Sequence, residues 1–187
     1  MRSLLLHLLQ LILLLTGVVG FTSCTGDSYI NAIPSDVTAI MTVNTPKSFI
    51  DYKGVDLGSD IYLFEDADGN LGACASLNDG DALAKYFDDQ SGKGICEKVQ
   101  EKRGFRFTLL ANGFLAGFSD NALLLMGPLV ESDKAEMINR MAKLLKQDDE
   151  SSVKNSKIFQ VLDSLGGERK MVARVDALPQ QFITPFM

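Results

Sequence analysis

The chain opens with a long apolar run over residues 4–19 that is interrupted by only three polar side chains. A membrane-spanning helix needs about 20 mainly apolar residues, so this run is too short to span a bilayer. It follows the basic Arg2 and leads to small residues before Cys24. That order of basic, apolar and small residues is typical of an export signal. We therefore predict that residues 1–23 are a removable signal peptide and that Cys24 becomes the first residue of the mature protein.

Beyond Cys24, short apolar segments alternate with polar turns. Asp68-Gly69 lies between two apolar runs and predicts a β-hairpin, because both residues tolerate positive φ. Residues 122–126 are apolar at every position, so we expect that strand to be covered on both faces. The pattern predicts strands at residues 37–43, 61–65, 71–77, 96–100, 105–110, 114–118, 122–126 and 171–176.

Helices are predicted where apolar residues recur every three or four positions behind a capping side chain, which is Asp79 or Asp81 for the second helix and Asn155 or Ser156 for the last one. The clearest covers residues 132–146, in which Glu136 and Arg140 form a predicted i,i+4 ion pair. The last is expected to end with Gly166 as a left-handed cap. The predicted helices are residues 46–52, 81–89, 132–146 and 156–165. Together these elements predict an α+β fold, with a largely antiparallel sheet and helices packed on one face.

The domain organisation follows from the same pattern. Residues 24–32 are mainly polar and predict a tether, and residues 33–187 predict a single domain. Within it, Val43-Asn44-Thr45-Pro46 is echoed by Val175-Asp176-Ala177-Leu178-Pro179. Two interpretations remain open: the echo begins a second repeat unit, or it is a coincidence in a common strand-then-helix pattern. A further hypothesis is that this chain is a fragment of a longer lipoprotein.

Composition narrows the classes of function. Removal of residues 1–23 leaves 164 of the 187 residues, enough for one domain that buries about 70% of its unfolded surface. These residues include 17 basic and 24 acidic side chains, a net charge of −7, which disfavours nucleic acid as a partner. The one histidine, His7, lies in the predicted signal. The mature chain would therefore lack a histidine nucleophile system, general base or zinc ligand.

Cys74 and Cys96 are the candidates for a disulfide, because export would place them in an oxidising compartment. A bridge between them would close a loop of about 22 residues and stabilise the fold by roughly 3 kcal/mol. The alternative is two buried free thiols that pack as small apolar side chains. The sequence leaves both alternatives open, since it does not give the distance between the two residues.

Three short motifs resemble known sites without completing them. The acidic loop at residues 66–70 has Phe64 and Ala75 where an EF-hand places carboxylates. Residues 91–94 lack the first glycine and the Ser or Thr of a phosphate-binding loop. Ser151 and Lys154 have the spacing of a Ser-Lys nucleophile pair but no companion motifs. We therefore predict no catalytic residue, no metal and no cofactor.

The segment Phe21-Thr22-Ser23-Cys24 resembles the bacterial lipobox, with Phe21 in place of the usual leucine. Together with Ile33-Pro34-Ser35-Asp36 and the strand ending at Val43-Asn44, it resembles uncharacterised Bacteroidetes-type envelope lipoproteins that are classed as domains of unknown function. The resemblance covers about the first 50 residues and the echo. It implies lipidation of Cys24 and a location in the cell envelope, and it implies no activity.

These observations lead to two functional hypotheses. The first is a lipid-anchored module on the periplasmic or surface face of the outer membrane that binds or assembles a protein or another envelope component without catalysis. The alternative is a carboxylate-based hydrolase or a carbohydrate-binding lipoprotein. A glycosidase would show two acidic side chains facing each other across a cleft.

Overall fold

Eight strands form one antiparallel sheet in the computed structural model of the chain, which describes residues 25–43 and 53–175. The order across the sheet is β4-β5-β6-β7-β3-β2-β1-β8. Cys24, the predicted helix at residues 46–52 and most of the second half of the echo lie outside the described residues. The strands are β1 (Ala39–Val43), β2 (Ile61–Glu65), β3 (Leu71–Ser76), β4 (Gln100–Lys102), β5 (Phe105–Leu109), β6 (Leu115–Phe118), β7 (Ala122–Gly127) and β8 (Lys170–Ala173).

Three helices and a long 3-10 helix accompany the sheet. The first turn of α1 is capped as predicted, because the Asp79 carboxylate accepts hydrogen bonds from the backbone N–H groups of Asp81 and Ala82. Ser156 caps α3 in the same way by accepting from the Phe159 N–H. The elements are the 3-10 helix (Thr25–Ala32), α1 (Gly80–Ser91), α2 (Lys134–Leu144) and α3 (Lys157–Ser164), with short 3-10 turns at Glu131–Asp133 and Val153–Asn155.

The predicted hairpin is confirmed. The four strands β4 to β7 also pair as expected, each with the next strand along the chain and in antiparallel orientation. β2 and β3 pair in the register that places Glu65 opposite Leu71, and Gly69 in the turn has a positive φ of 80°. β4 starts later than predicted, because Cys96 makes only an isolated bridge to Leu110. The α+β class and the antiparallel sheet are also as predicted.

Helices cover both faces of the sheet, so the prediction that they pack on one face is wrong. Successive residues of a strand point to opposite faces, and β7 directs Leu124 into one buried cluster and Leu123 into another. The Leu124 cluster includes side chains of α2, α3 and the 3-10 helix, and this side of the sheet is the α2/α3 face. The Leu123 cluster includes Leu83 and Phe87 of α1, and this side is the α1 face. β7 is apolar throughout, so it needs cover on both sides.

The segment predicted as a polar tether is instead part of the core. Thr25–Ala32 forms the 3-10 helix, in which Tyr29 is only 3% exposed and Ile30 is also buried. The Tyr29 hydroxyl donates a hydrogen bond of 2.8 Å to the Asp60 carbonyl. A 3-10 helix repeats every three residues, so Tyr29 and Ala32 share a face, as do Ile30 and Ile33, and all four are buried. The segment Thr25–Ala32 therefore belongs to the folded domain.

Candidate binding groove

The two ends of the sheet carry different turns, and the candidate site lies at one of them. The turn between β6 and β7, at residues 119–121, marks the Asn121 end. The turn between β2 and β3, at residues 66–70, marks the opposite Asp66 end. In an antiparallel sheet, alternate turns lie at opposite ends, so the β5–β6 turn around Asn112 also belongs to the Asp66 end.

A largely apolar groove lies at the Asp66 end, beside the end of α1. It consists of two adjoining cavities of about 360 and 300 Å³ that share Leu110 and Ala111 as lining residues. Ile95 and Val130 stand on its rim and are 51% and 66% exposed. Leu123 lies in its floor, where the apolar cluster of the α1 face reaches the surface. These volumes are in the range of small binding pockets.

Backbone hydrogen bonds hold the walls of the groove in place. The Ala111 N–H donates to the Ile95 carbonyl at 2.9 Å, and the Leu129 N–H donates to the Gly113 carbonyl at 2.8 Å. Gly113 has a φ of 84°, a conformation that favours glycine at this turn. Three segments that are distant in sequence are thus fixed side by side before any ligand binds.

An ion pair lies among the charged residues that line the groove. Lys134 Nζ lies 3.0 Å from Glu97 Oε1 and 3.2 Å from Glu97 Oε2. Both side chains are partly exposed, so the pair contributes little to stability, about 0–1 kcal/mol. Its value here is positional, because it places one cation and one anion beside the apolar residues, with Glu131 as a further acidic residue in the lining.

The acidic loop at residues 66–70 is a hairpin turn held by an arginine. Asp66 is 1% exposed, and its carboxylate accepts hydrogen bonds from the Asp68 and Asn70 backbone N–H groups at 3.0 and 2.8 Å. Arg140 lies 3.0 Å from Asp66 and 2.8 Å from Asp68, in the place where a cation would sit. Arg140 thus pairs with these aspartates, which corrects the predicted pair with Glu136. Within the described residues, no group of three potential metal ligands is arranged to hold an ion.

A polar cleft of about 290 Å³ at the Asn121 end brings carboxylates together around Arg106. The guanidinium contacts Asp81 at 2.5 Å and Asp120 at 3.6 Å, and it lies 5.1 Å from the centroid of the Phe118 ring. Both aspartates are exposed to solvent. A glycosidase needs two carboxyl groups on either side of a bound sugar. Here the space between the two aspartates is occupied by an arginine, so this cleft does not favour the hydrolase hypothesis.

Ser151 and Lys154 are held apart by separate acidic partners. The Ser151 hydroxyl hydrogen-bonds Asp148, and hydrogen bonds from Ser151 lower the pKa of that carboxyl group. Lys154 Nζ lies 3.1 Å from Asp149. The structure therefore does not bring the serine and lysine together as a nucleophile and its base. At the other motif, the Ser91 hydroxyl bonds the Asp88 carbonyl at the end of α1.

Cys74 and Cys96 are free buried thiols, which corrects the disulfide hypothesis. The Cys74 thiol donates to the Tyr29 carbonyl and belongs to the cluster on the α2/α3 face. The Cys96 thiol donates to the Phe87 carbonyl and belongs to the cluster on the α1 face. The two side chains lie in clusters on opposite sides of the sheet, so they do not meet. Burial also raises the pKa of the Cys74 thiol, which suppresses its reactive thiolate form.

Comparisons with known proteins add little to this geometry. No family model and no curated protein matches the chain. A solved structure described as a GTP binding regulator from Thermotoga maritima is 12% identical with a TM-score of 0.37, and the match covers 65% of this chain and 87% of that one. At this TM-score the likeness carries no conclusion about fold or function. Within the described residues, no helix has the length and apolar character needed to cross a membrane.

Proposed function

We propose that this chain is a lipid-anchored lipoprotein of the cell envelope whose domain binds an apolar segment of another envelope protein, without catalysis. The lipobox-like sequence ending at Cys24 supports the anchor. The groove at the Asp66 end supports the binding role, and it is the single observation on which that role rests.

The lining of the groove favours a protein segment over a glycan. Exposed apolar residues gathered at one site are a common feature of protein interaction surfaces. Ile95 and Val130 on the rim and Leu110 within it offer aliphatic surface, and the polar groups nearby include the Glu97–Lys134 pair. Sugar recognition requires many hydroxyl groups to be matched by polar side chains, because an unmatched buried polar group costs about 1–3 kcal/mol. Polar side chains such as Gln90, Asn112 and Glu131 are present in this groove, but apolar residues outnumber the polar ones in its lining.

The anchor is tested by metabolic labelling with a fatty acid. We expect the wild-type chain to take up the label and Cys24→Ala to lose it, because the thiol of Cys24 would carry the acyl group. Cys96→Ala is the matched control, since it also removes a cysteine but should keep the label. Label retained in Cys24→Ala would contradict the proposal.

The groove is tested by placing a photo-crosslinking residue at position 95 in intact cells. Position 161 on α3 is the matched control, because Val161 has a similar exposure, 49%, away from the groove. We expect a discrete protein adduct from position 95 that is absent from position 161 and is lost on Val130→Asp. The proposal fails if no adduct forms, or if both positions give the same adducts.

A further inference from the structure

We propose that the Asn121 end of the sheet faces the lipid bilayer, so that the groove at the Asp66 end points away from it. The inference rests on the lipidation of Cys24 proposed above, and it adds the orientation of the domain and the surface that meets the lipid. It follows from the way in which the 3-10 helix is attached to the sheet.

The 3-10 helix is fixed to the domain by contacts from Ser28 onward. Tyr29 and Ile30 are buried, and the Tyr29 hydroxyl and carbonyl bond Asp60 and Cys74. Farther along, the side-chain amide of Gln147 donates to the Asn31 carbonyl at 2.7 Å. A segment held at several points transmits the position of its first residue to the whole domain.

The direction of this segment relates Cys24 to one end of the sheet. Ser28 bonds Asn121 at 2.8 Å, so the early part of the helix lies at the Asn121 end. Asp36, beyond the helix, lies 3.8 Å from Arg140, which also contacts Asp66. The chain therefore runs from the Asn121 end towards the Asp66 end.

The distance from the lipid to the sheet is short. Thr25 precedes Ser28 by three residues, which is one turn of a 3-10 helix and a rise of about 6 Å. Cys24 is joined to Thr25 by one peptide unit, which separates their Cα atoms by about 3.8 Å. The acylated residue therefore lies within roughly 10 Å of Ser28. The six residues of β7 separate the two ends of the sheet by about 20 Å, so the groove rim at Ile95 and Val130 stands clear of the attachment point.

The surfaces at the two ends of the sheet differ in polarity, so the two possible orientations would make different contacts with lipid. The turn at the Asn121 end consists of Ser119, Asp120 and Asn121, polar residues that are compatible with the headgroup region. The groove has exposed aliphatic residues, and insertion of Ile95 and Val130 into lipid would favour the opposite orientation, so the attachment of the 3-10 helix is what sets the proposed one. These two arrangements place different turns against the lipid, and the difference can be measured.

The test uses the full lipidated chain in vesicles of phosphatidylcholine and phosphatidylglycerol that contain a nitroxide-headgroup lipid as quencher. A fluorophore is attached to Asp120→Cys or to Asn112→Cys, which are matched exposed turn positions at opposite ends of the sheet. Cys74 and Cys96 are buried and should not take the label. We expect several-fold stronger quenching at position 120 than at position 112. Equal quenching, or stronger quenching at position 112, would overturn the orientation.

A linker variant separates the orientation from the anchor. A flexible Gly-Ser segment inserted between Cys24 and Thr25 should keep the chain on the vesicles and abolish the difference between the two positions, because the 3-10 helix would no longer set the attachment point. A difference that survives the linker would overturn the role of the 3-10 helix. If the wild-type chain fails to float with the vesicles, the lipidation of Cys24 fails, and the orientation fails with it.

Discussion

The two faces of the sheet differ in how completely their apolar side chains are covered. The α2/α3 face is packed by two helices and the 3-10 helix, and its cluster extends from β1 and β8 to β5. The α1 face has a smaller cluster beneath a single helix of twelve residues, about 18 Å long. The groove opens where α1 ends. The comparison indicates that the α2/α3 face supplies most of the stability, whereas the α1 face leaves apolar surface accessible for binding.

The sharpest test of this comparison uses two adjacent leucines of β7. Leu124 is fully buried on the α2/α3 face, and Leu123 lies on the α1 face beside the groove. We expect Leu124→Ala to lower the free energy of unfolding by about 4 kcal/mol, and Leu123→Ala by about 2 kcal/mol, because a site next to an open cavity leaves a smaller new void. Urea denaturation measures both values. Equal losses would show that the two faces contribute alike.

A second test breaks the charge cluster that ties α2 to the Asp66 turn. Arg140→Ala leaves the buried Asp66 carboxylate without its cation, so we expect a loss of about 2–4 kcal/mol. Lys85→Ala on α1 is the control, since its pair with Asp89 is exposed and should be worth less than about 0.5 kcal/mol. Asp66→Asn in the Arg140→Ala background should recover part of the loss. Similar losses from both single variants would contradict the distinction.

Local chemistry in the sequence was sufficient to predict most of the strands and helices. Asp68-Gly69 predicted the hairpin, and Asp79 and Ser156 predicted helix caps, because each of these features depends on residues only a few positions away. The tether prediction failed because the segment is short and polar overall. The pattern that indicates burial of this segment is the three-residue spacing of Tyr29 with Ala32 and of Ile30 with Ile33. This spacing is typical of a 3-10 helix and differs from the period of 3.6 residues that identifies an α-helix.

The groove could not be predicted from local sequence patterns, because it is formed by contacts between residues that are distant in sequence. Ile95, Leu110 and Val130 come from three loops, and only the folded sheet brings them to one end. The helical spacing predicts an ion pair between Arg140 and Glu136, whereas the partners of Arg140 in the structure, Asp66 and Asp68, are distant in sequence. The sequence spacing of Cys74 and Cys96 allows a disulfide, but the two side chains lie in clusters on opposite faces of the sheet and cannot meet. Long-range geometry therefore accounts for each of these errors.

The smallest predicted effect tests whether the 3-10 helix belongs to the α2/α3 face. Tyr29→Phe removes the hydrogen bond to Asp60, so we expect a loss of about 1 kcal/mol at pH 7. Burial, with a smaller contribution from the nearby Tyr62, raises the pKa of Tyr29 above its usual value of about 10. The folded protein then keeps this proton where the unfolded chain loses it. The stabilisation is therefore fully present below about pH 10 and is lost as the pH rises further.

This linkage predicts that the two stability curves converge in alkali. Above about pH 10, Tyr29 costs the wild type about 1.4 kcal/mol per pH unit, a cost that Tyr29→Phe does not have. The difference between the two proteins should therefore vanish near pH 11 and then reverse sign. Tyr62→Phe is the companion variant, because burial also raises the pKa of Tyr62 and the same change of slope is expected. Urea denaturation at pH 7, 10 and 11 measures the curves. A constant difference across this range would show that Tyr29 reaches solvent, as it would in a tether.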